Sequence, residues 1–291
     1  MPSRDPPPGP APFDGTLSPA TFHVAQPQEE ALARLEWLHG QRQRLGVVTA
    51  ATGGGKSHFL AAAARRLAGA GAEVAVLSLA GLGAGEWIGL LLERLPLDPA
   101  SRADPGSEWS RLEARLRENT LMERTTALLF DDVDRGPADV LAGIGRLTGG
   151  AEPRFARVLV VATAGPEGLA VLPAQLRSQI TLRIDLPPWT EAEVAAFLDW
   201  EGARIAAAAP LFSPAAAGAL ARFTGGVPRR VVQLARLALA AAAGANVATV
   251  DPELVERAWC ELLPADAPAP QATVETATTP ATVRPVRRLW S

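Results

Sequence analysis

The chain has 291 residues, with 48% apolar and 20% charged side chains and a formal net charge of -3. This is enough for one large or two medium domains with a sizeable core. An isoelectric point near 5.7 excludes an overall basic field for gripping nucleic acid, so bulk charge does not favour a general DNA binder. The most apolar stretch, 231–250, is interrupted by Arg236 and suits a packed helix better than a membrane span. The lone Cys260 and the lack of a basic leader followed by an apolar core imply a reducing, cytoplasmic setting.

Residues 1–20 carry Pro2, Pro6, Pro7, Pro8, Pro10, Pro12 and Pro19, a density that predicts an extended, disordered arm. Apolar positions at helical spacing (Ala31, Leu32, Leu35, Leu38) predict a helix over 28–40, followed by a buried strand over 45–50. A glycine-rich turn and a helix from Lys56 to Gly69 complete a strand–loop–helix unit. Strands follow at 73–79, 126–131, 158–163 and 180–186, with helices at 85–95 and 108–118. Short apolar strands alternating with helices predict an α/β fold over 21–187, a parallel sheet with helices on both faces.

After Pro187-Pro188 the pattern is purely helical. Thr190-Glu191-Ala192-Glu193 reads as a capping box, and Ser213-Pro214 and Asp251-Pro252 as caps followed by proline at the first helical position. A small all-α domain is therefore expected over 188–262. Residues 263–291 turn rich in Ala, Pro and Thr and read as a disordered tail. Its end, Arg284 to Trp290, places three arginines around Leu289 and Trp290, which suits docking to a protein partner.

The chemistry concentrates at one loop. Of the 28 basic side chains all but one are arginine, and the single lysine is Lys56, within Gly53-Gly54-Gly55-Lys56-Ser57. A compact ammonium is not interchangeable with a planar guanidinium. The pattern G-x-x-x-x-G-K-[ST] is met at Gly55, Lys56 and Ser57, with Ala50 in the place of the first glycine. Such a loop cradles phosphates on its backbone amides, here from Thr52 through Gly53, Gly54, Gly55 and Lys56 to His58. Lys56 would reach the β/γ oxygens and Ser57 would ligate Mg²⁺, so ATP and Mg²⁺ are the expected ligands.

The strand Ala127-Leu128-Leu129-Phe130 delivers Asp131 and Asp132 at its carboxyl end, a Walker-B-like arrangement. Asp131 would hold Mg²⁺ and Asp132 would polarise the attacking water, as a catalytic carboxylate. Thr163 at the end of the next strand is a candidate γ-phosphate sensor. Arg177, with Arg183 as competitor, is a candidate for action across a subunit interface, and Arg229 opens a helix that could fold back onto the phosphates.

The order of the phosphate loop, Asp131-Asp132, the Arg177 region, Leu186-Pro187-Pro188 and Gly226-Val227-Pro228-Arg229 resembles AAA+ ATPases of the general secretion pathway protein A (ExeA) type. Pro12-Phe13 and Phe212-Ser213-Pro214 resemble that type's lead-in and lid. The resemblance spans roughly residues 12–262. It implies ATP binding and hydrolysis coupled to assembly of a partner complex, and nucleotide-dependent self-association. It also implies a relation to DNA-transposition helpers. The sequence departs from the pattern at Ala50, at Asp132 where glutamate is common, at Gln179 and at Ala164-Gly165-Pro166-Glu167. Slow hydrolysis, limited by the short Asp132, is expected; a non-hydrolysing nucleotide-gated module is the alternative.

Overall fold

The computed structural model describes residues 13, 23, 26–96, 107–149 and 155–262. Helix α1 (Gln26–Gly40) leads into β1 (Leu45–Thr49), α2 (Lys56–Gly69), β2 (Glu73–Ser78), α3 (Glu86–Arg94), α4 (Glu108–Leu121) and β3 (Thr126–Asp131). After a single 3-10 turn over Val133–Arg135 come α5 (Ala138–Thr148) and β4 (Val158–Ala164). Two one-turn helices, Gly168–Val171 and Ala174–Arg177, then precede β5 (Leu182–Asp185). The five strands form one parallel sheet in the order β2-β3-β4-β1-β5.

The burial pattern follows from that order. The inner strands β1, β3 and β4 are buried at every residue, as strands covered on both faces must be. The edge strands β2 and β5 alternate. Successive side chains point to opposite faces. Leu128 and Phe130 therefore join Trp87, Leu91, Leu116 and Ile144 on one side. Leu129, with Val48 and Val161, joins Leu35, Phe59 and Leu67 on the other.

The helical domain packs around its own core of Val194, Leu220, Val231, Leu234 and Val255. It comprises α6 (Glu191–Arg204), α7 (Pro214–Thr224), α8 (Pro228–Gly244) and α9 (Pro252–Leu262). The expected caps are formed: Thr190 and Glu193 make the reciprocal capping box, Ser213 accepts from the Ala216 amide at 3.2 Å, and Asp251 from the Leu254 amide at 2.8 Å. Gly225 and Gly226 close α7 with φ of 61° and 68°. The Gly226 carbonyl accepts from the Trp189 amide at 2.8 Å. A Cβ on Gly226 would lie inside the Trp189 carbonyl, so the connection from sheet to lid admits only glycine there.

The expected arm over 1–20 lies outside the described residues except at Phe13. That residue is buried in the helical domain, its ring against Phe197 and Phe212, and its amide donates to Glu201 at 2.5 Å. The tail over 263–291, with Arg284 to Trp290, lies outside the described residues. None of the described helices is long and apolar enough to cross a membrane.

Candidate functional site

Because β4 lies between β1 and β3, the ends of these three strands bring the phosphate loop, Thr163 and Asp131 side by side. The loop follows β1. Its Gly53 and Gly55 sit at φ 81° and 90°, a region that glycine enters without steric cost, and the Gly54 amide donates to the Ala51 carbonyl at 2.8 Å. Helix α2 begins at Gly55 with no capping side chain, so its first-turn amides offer an anion site. Ala50, the departure from the loop pattern, is buried. Its methyl and the Ala51 carbonyl oxygen each lie 2.9 Å from where a Cβ on Gly54 would stand, so both crowd that position.

Lys56 Nζ donates to the Ala50 carbonyl at 3.3 Å and lies 3.7 Å from Asp132 Oδ1. Ser57 Oγ donates to Asp131 Oδ2 at 2.5 Å. Thr163 Oγ1 donates to Asp131 Oδ1 at 2.5 Å and accepts from the Asp132 amide at 2.9 Å. One continuous hydrogen-bond chain therefore runs Ser57–Asp131–Thr163–Asp132. Thr163 is fully buried, and its hydroxyl serves the two aspartates. Asp132 adopts φ 54° and ψ 52°, left-handed backbone that aspartate tolerates better than most residues.

The Ser57 hydroxyl and Asp131 carboxylate supply two hard oxygens beside the phosphate loop, a donor set that fits Mg²⁺ completed by phosphate and water. Among the described residues no group of three or more His, Cys, Asp or Glu could hold a metal by itself.

A cleft of about 550 Å³ opens between this apparatus and the helical domain, walled by Thr52, Lys56, Asp132 and Arg135 on one side and by Arg229 and Arg236 on the other. The Arg229 amide donates to the Gly53 carbonyl at 3.1 Å. His58 also lines the cleft; burial first, and then the positive charge of Arg229, hold its imidazole below the usual histidine range.

Part of the cleft wall is aromatic: Phe13, His23, Trp189 and Phe197 contribute to it. His23 lies 5.7 Å from the Phe197 ring and 5.3 Å from that of Trp200, and Trp189 lies 4.9 Å from Phe197.

Arg177 is exposed and outside the cleft, its guanidinium donating to the Ala170 carbonyl at 2.9 Å. Arg183 is paired with Asp185 at 2.9 Å. Burial pushes the Asp185 carboxyl up, but hydrogen bonds from Thr49 and Arg183 outweigh it and hold the group below its usual range. Gln179, one of the departures from the resembled pattern, accepts from Thr148 Oγ1 at 2.7 Å.

The sequence reading missed Arg135, Gln233, Arg236 and the aromatic wall with Gln28. Arg229, Gln233 and Arg236 stand at i, i+4 and i+7, a helical spacing visible in the sequence. The aromatic wall joins residues more than 150 positions apart and has no such local signal.

No family model matches this chain, and no curated protein does. Solved structures do. The ORC2 protein of Aeropyrum pernix, described as ADPNP-ADP complexes, matches with a TM-score of 0.62 at 17% identity, covering 86% of this chain and 71% of that one. Cdc6p from Pyrobaculum aerophilum matches at 0.64 and 17%, with coverage of 86% and 71%. The Thermotoga maritima RuvB Holliday junction branch migration motor matches at 0.59 and 15%, with 86% and 73%. At these identities the likeness establishes the fold alone: a five-stranded parallel sheet covered by helices and followed by a helical domain. The narrower likeness to the general secretion pathway protein A type remains one of sequence motifs.

Proposed function

We propose that this chain binds ATP·Mg²⁺ in the cleft between sheet and lid, and that binding and slow hydrolysis switch or assemble a partner complex. The observation that carries this reading is the hydrogen-bonded chain Ser57–Asp131–Thr163–Asp132, set beneath the loop that holds the only lysine and facing Arg229 across the cleft.

The roles follow from position. Amides of the loop and of the first turn of α2 hold the phosphates, with Lys56 on the β/γ oxygens. Ser57 and Asp131 would hold Mg²⁺, which neutralises charge developing on the phosphoryl oxygens. Thr163 fixes both aspartates, so its sensing of the γ-phosphate would pass through Asp132. Asp132 orients the attacking water, and Arg229 senses phosphate from the lid. Arg177, exposed on its one-turn helix, acts on the nucleotide of a neighbouring copy, and the Arg284–Trp290 segment docks the partner. The non-hydrolysing alternative draws support from Asp132 lying 3.7 Å from Lys56, where the carboxylate is turned toward the ammonium; phosphate release by the purified chain decides between them.

The direct test is thermal unfolding with ATP·Mg²⁺. At 100 times the dissociation constant a ligand stabilises by about 2.7 kcal/mol; Lys56→Ala should lose this shift, and Lys56→Arg should diminish it, because the bulkier fork must enter a loop shaped around one ammonium. Equal stabilisation of wild type and Lys56→Ala would remove the assignment.

A further inference from the structure

The end of the sheet opposite the phosphate loop borders a second cavity, of about 220 Å³. Arg42, Gly71, Glu123, Arg124 and Arg157 wall it, and they come from the connections that lead into β1, β2, β3 and β4. Three helices end here in the same way. Helices α1, α2 and α4 each close on a backbone amide that reaches back five residues: Gln43 to the Leu38 carbonyl at 3.0 Å, Ala72 to Leu67 at 3.0 Å and Arg124 to Asn119 at 2.8 Å. Such a closure puts one residue in the left-handed region, and glycine is its usual occupant. Helix α2 uses Gly71, at φ 86°, but α1 uses Arg42 at 55° and α4 uses Glu123 at 56°. Both are disfavoured there, because a Cβ crowds the following carbonyl and neither side chain offers the short local hydrogen bond that asparagine does. The closing amides already serve the last carbonyls, so the arginines are not needed as caps.

The wall carries three guanidiniums and one carboxylate, in a chain whose net charge is -3. Those guanidiniums are poorly answered. Arg42 makes no ion pair among the described residues. Arg157, with a side chain 17% exposed, lies 3.5 Å from Glu123, longer than the about 2.7–2.9 Å of a charge-assisted hydrogen bond. Arg124 lies 3.4 Å from Glu73, a carboxylate already held by Arg115 through Nε at 2.9 Å.

We infer that this cavity binds a phosphate dianion, either inorganic phosphate or the end group of a small monoester. Three positive charges and one negative leave the wall at +2, which a dianion neutralises. Planar guanidinium forks match phosphate oxygens in pairs, and the volume is below the about 300–1,000 Å³ of sites that take larger organic ligands. The two left-handed residues then have a use. Arg42 brings charge where glycine would bring only ease, and Glu123 occupies Arg157 until the anion displaces it. No residue lines both this cavity and the phosphate-loop cleft, so the inference stands apart from the nucleotide reading.

Equilibrium dialysis of the full-length Lys56→Ala chain against radiolabelled inorganic phosphate, at constant ionic strength, tests this without the ammonium of the phosphate loop. Phosphate should bind, and glycerol 3-phosphate should compete for the site. Dimethyl phosphate, a diester with a single charge, should compete at least about tenfold less well. The tighter binder of the first two identifies the source. In the same background Arg42→Gly should weaken phosphate binding by about tenfold or more, and Glu123→Gly should tighten it severalfold. Both variants should melt at or above the temperature of the parent, since glycine relieves the left-handed backbone; a purely structural role for the two side chains leaves phosphate binding unmoved. No phosphate binding, equal competition by the diester, or unchanged affinity in both glycine variants overturns the inference.

Discussion

The Arg229 amide donates to the Gly53 carbonyl at 3.1 Å, which ties the first turn of the lid helix to the phosphate loop through backbone alone. Arg229→Ala keeps that amide and removes the side chain beyond Cβ, the guanidinium included. Stability of the ligand-free chain should change by no more than about 0.5 kcal/mol in urea, while ATP affinity falls about tenfold. The same variant should raise the His58 pKa, since the repelling charge is gone, yet leave it below the ordinary histidine value because burial remains. A histidine titration followed by NMR reads this; a His58 pKa that does not rise would show that the two side chains are not electrostatically coupled.

Thr163→Val keeps the shape of the side chain and removes the hydroxyl that serves Asp131 and the Asp132 amide. Leaving buried groups unpaired costs about 1–3 kcal/mol, so the urea midpoint should drop. Thr163→Ser should restore most of it. If Val and Ser variants unfold at the same midpoint as wild type, the hydrogen-bond chain does not stabilise the fold.

Asp132→Asn suits the left-handed backbone at φ 54° and cancels the charge. ATP binding should persist while phosphate release falls on the order of 10²-fold. Asp132→Glu is expected to speed turnover by reaching about one C–C bond further, with a backbone cost of about 1 kcal/mol. Slower turnover in a folded Glu variant would show a site already shaped around the shorter acid.

Gly225 and Gly226 are adjacent and both left-handed, yet their substitutions should differ. A Cβ on Gly225 meets nothing within 4 Å, so Gly225→Ala should cost only about 1 kcal/mol. On Gly226 it would strike the Trp189 backbone, and Gly226→Ala should cost more than about 3 kcal/mol or prevent folding. Paired melting curves make the comparison, and equal melting temperatures would refute it.

The elements most legible in the sequence were those whose signal is local. β3 was delimited correctly because an unbroken apolar run ends in two acids, and α2 because the loop glycines mark its start. The caps at Thr190, Ser213 and Asp251 were legible for the same reason. Helix α5 was missed although Val140, Ile144 and Leu147 are among its buried residues at helical spacing; its glycines, Gly143 and Gly145, blur the pattern. The left-handed state of Asp132 and the placement of β4 between β1 and β3 depend on tertiary pairing and leave no short-range trace. The aromatic wall of the cleft was invisible for a simpler reason: Trp189 and Phe197 look like ordinary apolar residues until the fold brings them to one cleft.

Phe13 and Glu201, joined by a hydrogen bond, are 188 positions apart. During synthesis at about 5–20 residues per second, Phe13 emerges roughly ten to forty seconds before its acceptor exists. Contacts so distant along the chain close late, because the loop between them must first be brought together. Phe13 therefore finds its place only after the helical domain that receives it has been made, across one of the longest loops that the fold has to close.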